Sequence, residues 1–270
     1  MASAWSRARV KSADAELRRS AFLRARLRRV PLKLRLLALG IVVVAALAAA
    51  NWLFQALRKP SEMFFPLDGA LAKTPAQTWG EYGPLFREHS TAVMTPELLA
   101  ALAQAEGAGN PVARTYWRWR VAWNPTEVYK PASSAVGMYQ ITDARFAEAR
   151  RYCIRDHVPV EDGSWHDVHS CWFNAFYFRV LPSHAIEMTS AYLDRRVTQT
   201  LGQLRITRAS LQQKQDLAAV IHLCGASVGE AYARRGFRPN PRERCGDHDL
   251  SAYLARLNAL KRNFSLISRA

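Results

Sequence analysis

Apolar and polar positions divide this chain at two length scales. Leu36 to Leu57 is apolar except for Asn51 and Gln55, and it is long enough to cross a bilayer as one helix. Beyond it, apolar residues recur at helical spacing in a series of shorter stretches. Leu98, Leu99, Leu102 and Ala105 fall one, three and three apart. Thr95 supplies a hydroxyl cap, and Pro96 stands at the first helical position, where its missing N–H costs nothing. This helix should run to Glu106, because Gly107, Gly109 and Pro111 break the pattern. Thr142 or Asp143 can cap a helix reaching about Asp156, with Phe146 and Ala149 facing inward. Asp162 or Ser164 opens another, carrying His166, Cys171, Trp172, Phe176 and Tyr177 and stopped by Pro182. Ser183 then caps a helix with Ile186, Tyr192, Leu193 and Val197 on one side. Thr207 or Ser210 begins the next, which Gly225 ends, and helices over 229–235 and 249–262 complete the chain. Strands are few. The expected architecture is a mainly α domain with a small β or irregular insert between Asn110 and Ile141, preceded by one N-terminal transmembrane helix.

The flanks of the long apolar run set its orientation. Residues 1–35 hold 11 Lys and Arg against Asp14 and Glu16, so this tail carries more than half of the chain's formal charge of +16. A basic excess concentrated in a tail argues against nucleic acid as the partner of the folded part. Under the positive-inside rule the tail stays in the cytoplasm and the remainder lies outside the inner membrane, with Trp52 and Phe54 at the membrane–water boundary. Part of the tail, Ala13 to Arg29, has the makings of a basic surface helix; a disordered, lipid-attracted tail is the alternative. A cleaved signal peptide competes with the anchor, because Ala48 to Ala50 supply small residues. The expected organisation is a tail over 1–35, an anchor over 36–57, a linker and lead-in over 58–90 marked by Pro60, Pro66 and Pro75, and a globular domain over 91–270.

Glu106 concentrates the chemistry. A carboxyl group on the last turn of an apolar helix meets the negative end of the helix dipole and loses solvent, and both effects favour its protonated form. A protonated carboxyl at the lip of a loop is what general-acid cleavage of a glycosidic bond needs. Glu106-Gly107-Ala108-Gly109-Asn110-Pro111-Val112-Ala113 resembles the Glu-Ser-x-x-Asn-Pro-x-Ala signature of soluble-type lytic transglycosylases. Ala135-Val136-Gly137-Met138-Tyr139-Gln140 likewise resembles their Gly-Ala-x-Gly-Leu-Met-Gln signature. The resemblance spans roughly residues 96–236 and implies a lysozyme-like α+β fold, peptidoglycan glycan strands as substrate, no cofactor, and Glu106 as the single catalytic acid and base. It further implies substrate-facing or Glu-orienting roles for Gln140, Tyr139 and Met138 in the second motif, and for Ser133 or Ser134 as the loop hydroxyl. His222, in Ile221-His222-Leu223-Cys224-Gly225, falls where a tyrosine normally braces the acid. The departures are Gly107 in place of serine, the weak match of that third signature, and the insertion from Arg114 to Ala132.

Within the insertion, Tyr116, Trp117, Trp119 and Trp123 alternate with Arg114, Arg118 and Arg120. Aromatic faces stack on sugar rings and guanidinium pairs with carboxylate, so Trp117 and Trp119 are candidate glycan contacts. The competing reading has alternate aromatics filling the core under a strand pair, with the arginines solvated. Four cysteines, Cys153, Cys171, Cys224 and Cys245, follow the membrane segment, and an even count in an oxidising compartment suggests two disulfides. Pairing 153 with 171 and 224 with 245 would close two short local loops. No Cys-x-x-Cys occurs and His157, His166 and His169 show no ligand spacing with the thiols, so no metal is expected. Rival functions are a water-using muramidase with Glu127, Asp143 or Glu148 as second carboxylate, and a non-catalytic wall-binding scaffold of an envelope machine.

Overall fold

The computed structural model describes residues 31–269 apart from Asp68, Trp165, Val168 and His169, so the basic tail helix considered over Ala13 to Arg29 lies outside the described residues. The chain divides into two compact units, Met1–Phe54 and Gln55–Ala270. Helix α1, Leu32–Arg58, carries the apolar run. It is the one helix among the described residues long and apolar enough to cross a membrane.

The second unit is mainly helical. Its long helices are α2 (Pro75–Glu88), α3 (Pro96–Gly107), α6 (Pro182–Gln203), α7 (Leu211–Cys224), α8 (Ala226–Arg234) and α9 (Leu250–Ile267). Their boundaries follow local chemistry. Thr74, Thr95, Ser210 and Asp249 each accept a backbone N–H from the first turn of α2, α3, α7 and α9, respectively. Helix α3 ends where Ala108 turns left-handed at φ 48°. Leu98, Leu99 and Leu102 are fully buried, and each such side chain contributes about 1.5–3 kcal/mol. Helix α3 packs against α2 and α9, and one core joins them to the buried faces of α6 and α7.

Four expectations are corrected. The stretch expected as a linker and lead-in over 58–90 belongs to the globular unit: Pro60–Leu67 forms a 3-10 helix and Glu62 is fully buried. An ion pair from Lys59 and hydrogen bonds from Arg114 and the Trp117 indole hold that carboxylate, so the prolines here mark tight turns over the domain and no free tether. The helix expected from Asp143 to Asp156 stops at Ala149 (α5, Asp143–Ala149), and the antiparallel strands β3 (Tyr152–Arg155) and β4 (Val158–Glu161) follow. Asp156 and His157, both at positive φ, form their turn. In place of the helix expected from Asp162 to Pro182, only a 3-10 turn, Trp172–Phe176, forms among the described residues. Pro182 starts α6 and does not stop its predecessor, and Ser183 lies inside the first turn, with Leu181 at the cap position.

Of the β and irregular forms expected for the insertion, a small β element forms: β1 (Trp117–Trp119) pairs antiparallel with β2 (Tyr129–Pro131), joined by the short helix α4 (Pro125–Val128). A last pair, β5 (Arg244–Cys245) and β6 (His248–Asp249), leads into α9. Both local disulfides form, Cys153–Cys171 and Cys224–Cys245, with Cα–Cα distances of 5.5 and 5.3 Å.

Candidate active site

The two motifs, 22 residues and a hairpin apart, come together through backbone. The Gly137 N–H donates to the Ala113 carbonyl at 2.8 Å, and a bridge joins Arg114 to Val136. Gly107 makes the closest approach. A Cβ there would stand 2.8 Å from Met138 Cα, closer than real Cβ atoms come, and 3.1 Å from its carbonyl oxygen, a tight contact in itself. The departure from serine at this position therefore has a steric cause: the second motif's backbone fills the space a side chain would need. Gly137 is bound as tightly, with φ 80° and the Arg179 carbonyl 2.6 Å from where a Cβ would be.

Glu106 lies in the last turn of α3 with its side chain 15% exposed. The Tyr253 hydroxyl on α9 donates to Glu106 Oε1 at 2.6 Å. Burial raises the carboxyl above its usual range, and the Tyr253 hydrogen bond, His248, Arg145 and Arg256 pull the other way. His222 Nε2 is 3.8 Å from the same oxygen, too far for a hydrogen bond. Burial, helped by the charge of Arg145, pushes the His222 imidazole down to about 3, so it stays neutral beside the acid. A cleft of about 360 Å³ opens at Glu106, lined among others by Gly69, Ala72, Gln104, Asn110 and Arg256. Its far wall is the segment expected to be a linker. That wall is fastened by the Lys73 N–H on the Ala108 carbonyl at 2.8 Å and by Gln104 Nε2 on the Lys73 carbonyl at 2.9 Å.

None of the binding residues nominated from sequence lines this cleft, and each has a definite occupation. Met138 and Tyr139 are core residues with exposures of 1% and 0%; the Tyr139 hydroxyl donates to the Leu99 carbonyl. Their side chains cannot touch a ligand, which corrects the substrate-facing role expected for both. Gln140 spends its amide on the Ala113 and Gly137 carbonyls, at 3.1 and 2.9 Å, tying one motif to the other at a left-handed residue. The Ser133 hydroxyl accepts from the Ala135 N–H and the Ser134 hydroxyl from the Asp143 N–H. Trp117 is half-buried with its indole N–H on Glu62, whereas Trp119 is 75% exposed and stacks on Tyr129 at 4.5 Å. Exposure at Trp119 and Trp123 removes the core-filling reading for these two.

Sequence reasoning missed Tyr253, Arg145 and Arg256. Tyr253 shares the buried face of α9 with Leu250, Leu254 and Leu257. A phenol on an apolar helix face needs a hydrogen-bond partner, but nothing local reveals that the partner lies 147 residues upstream. The candidate second carboxylates are each engaged in an ion pair: Glu127 with Lys130, Asp143 with Arg179 at 2.7 Å, and Glu148 with Arg196. A larger cavity of about 630 Å³ lies by the β3–β4 turn and holds His89, with Ser183 Oγ 3.0 Å from its Nε2. The Glu187 carboxylate there accepts from the Ile154 N–H and the Tyr177 hydroxyl, so it does not complete a nucleophile–base chain. Among the described residues no group of three or more His, Cys, Asp or Glu could hold a metal ion. Compared with family models, curated proteins and solved structures, the chain matches none.

Proposed function

We propose that this chain is a peptidoglycan lytic transglycosylase with a lysozyme-like domain, anchored in the inner membrane by α1 with that domain in the periplasm. Glu106 is its single acid and base. The observation that carries the reading is a desolvated carboxyl at a helix end, opening on a cleft, with the Gly-Met-Tyr-Gln turn seated against the glycine beside it.

In this mechanism Glu106 donates its proton to the oxygen bridging N-acetylmuramic acid and N-acetylglucosamine, and the C1–O bond breaks. The carboxylate so formed takes the proton of the muramic C6 hydroxyl, whose oxygen closes on C1. A 1,6-anhydro end results, no water is consumed, and the acid regains its proton. One carboxyl suffices because the substrate supplies the nucleophile, whereas water-using glycosidases employ a carboxylate pair. The ion-paired state of Glu127, Asp143 and Glu148 favours the single-acid scheme over the muramidase. Mass spectrometry of digested cell wall tests it: anhydro-ended fragments are expected, and fragments heavier by one water, with reducing ends, would overturn it.

Tyr253 tunes the acid. Its hydroxyl favours the ionised form of Glu106, so Tyr253→Phe should raise the carboxyl further and move the alkaline limb of the activity–pH profile upward. A limb that stays in place removes Tyr253 from the catalytic apparatus. The anchor has its own test. The full-length protein should remain with membranes through a high-salt wash, since α1 is held by apolar burial and not by charge. Release by salt, or a soluble form beginning at Asn51, rejects the anchor.

A further inference from the structure

The hairpin β1–β2 is fastened to the end of α1 in a definite register. At its base, Lys59 Nζ donates to Thr115 Oγ1 and to the Ser133 carbonyl, both at 3.3 Å. Towards its tip, Gln55 Nε2 donates to the Thr126 carbonyl at 2.6 Å. Gln55 and Ala56 are buried, and Gln55 is the last polar interruption of the apolar run. Passing from base to tip of the hairpin therefore follows α1 back by four residues, about 6 Å, toward its apolar segment. The Thr126 carbonyl near the tip is thus held by Gln55, one of the last three residues of that run.

What the tip presents is apolar and unusually exposed: Trp119 at 75%, Val121 at 108% and Trp123 at 105%, flanked by exposed Arg118 and Arg120. Exposed aromatics with exposed arginines next to them in sequence suit the headgroup boundary of a bilayer, where indole rings lie at the interface and arginine meets lipid phosphate. Glycan is disfavoured as the occupant: Trp117 and Trp119 do not line the Glu106 cleft, and the one indole turned inward is committed to Glu62.

We propose that the β1–β2 tip, through Trp119, Val121 and Trp123, docks into the surface of the membrane that α1 spans. The proposal goes beyond the enzymatic reading but rests on the anchor. The hairpin then gives the globular unit a membrane contact of its own, in addition to the anchor.

The test uses full-length protein in nanodiscs built with phosphatidylcholine carrying bromine in its acyl chains, which quenches tryptophans near the acyl boundary. Wild type, Trp119→Phe with Trp123→Phe, and Trp52→Phe are compared. Phenylalanine preserves bulk, so the fold is kept. The hairpin double variant should lose roughly half of the lipid-dependent quenching, with Trp52 in α1 supplying much of the remainder. Quenching that depends on Trp52 but is unchanged in the double variant overturns the docking and leaves the anchor standing. Quenching unaffected by either set overturns both. If soluble glycan strands shift the emission of Trp119 and Trp123 while bromolipid leaves them bright, the tip belongs to substrate and the membrane docking is wrong. Quenching that appears only as protein concentration rises assigns the tip to a second copy instead.

Discussion

Glu106→Gln is expected to abolish wall lysis, with a loss of at least about 10³-fold, while the protein becomes more stable at neutral and alkaline pH. The two effects share one cause. Burial holds the Glu106 carboxyl above the usual carboxylate range, so the native state binds that proton more tightly than the unfolded chain does. The stability this provides is complete below the unfolded carboxylate range and is lost as pH rises through the native value. Glutamine has the same shape, still accepts from Tyr253, and stays neutral at every pH. The melting temperature of the variant should therefore exceed that of wild type at pH 8, and the gap should close on acidification. An isosteric variant that retains lysis would show that Glu106 is not the acid. One that melts lower than wild type at pH 8 would show that the carboxyl is paired and ionised rather than desolvated. A non-catalytic scaffold predicts the stability gain with no lytic activity in either protein, so the two measurements together separate a poised acid from an inert buried one.

The second large effect concerns Gly107. Introducing the serine of the resembled signature, Gly107→Ser, should cost ~3 kcal/mol and lower the melting temperature by roughly 6–12 °C. The atoms in the way are backbone, Met138 Cα and its carbonyl, and backbone cannot swing aside as a side chain end would. The only relief is to push the second motif off the first. That would lengthen the Gly137–Ala113 and Gln140–Ala113 hydrogen bonds and disturb the wall beside Glu106. Lysis should fall with stability, and a fully stable, fully active Gly107→Ser would show that the two motifs are not wedged together at this point. Gly107→Ala is expected to behave much as serine does, because the clash begins at Cβ; a mild alanine with a severe serine would place the fault in the hydroxyl.

The site was legible from sequence where its determinants are local and illegible where they are not. Thr95, Pro96 and the breakers after Glu106 define a helix and its last turn without reference to anything distant, so the position of Glu106 at the helix end followed from spacing alone. The disulfides close loops of 18 and 21 residues and were foreseeable as local pairs, although count and spacing could not select them. The second motif packs against the first, but Met138 and Tyr139, expected to face substrate, point into the core. Sequence cannot distinguish a residue that lines a cleft from one that builds the wall behind it, and Met138, Tyr139 and Gln140 are builders. The helix expected through residue 156 failed because Tyr152 to Val160 suits a strand pair across the Asp156–His157 turn equally well, and packing on α6 decides between them. Pro182 was misread for a related reason, since proline suits a helix start as well as it ends a preceding segment.

The sequence by itself therefore determined the apolar span, the capped helix ending in Glu106, the tightly turned motif after it and the mainly helical character. All of these depend on residues within a turn or two of each other. Only the tertiary structure decided that Tyr253 reaches Glu106, that residues 69–73 wall the cleft, that Gly107 is glycine because Met138 lies on it, and that Gln55 holds the Thr126 carbonyl near the β1–β2 tip. Each of these contacts joins segments from tens of residues to nearly 150 apart. Their formation depends on how whole helices pack, and no local pattern in the chain encodes that.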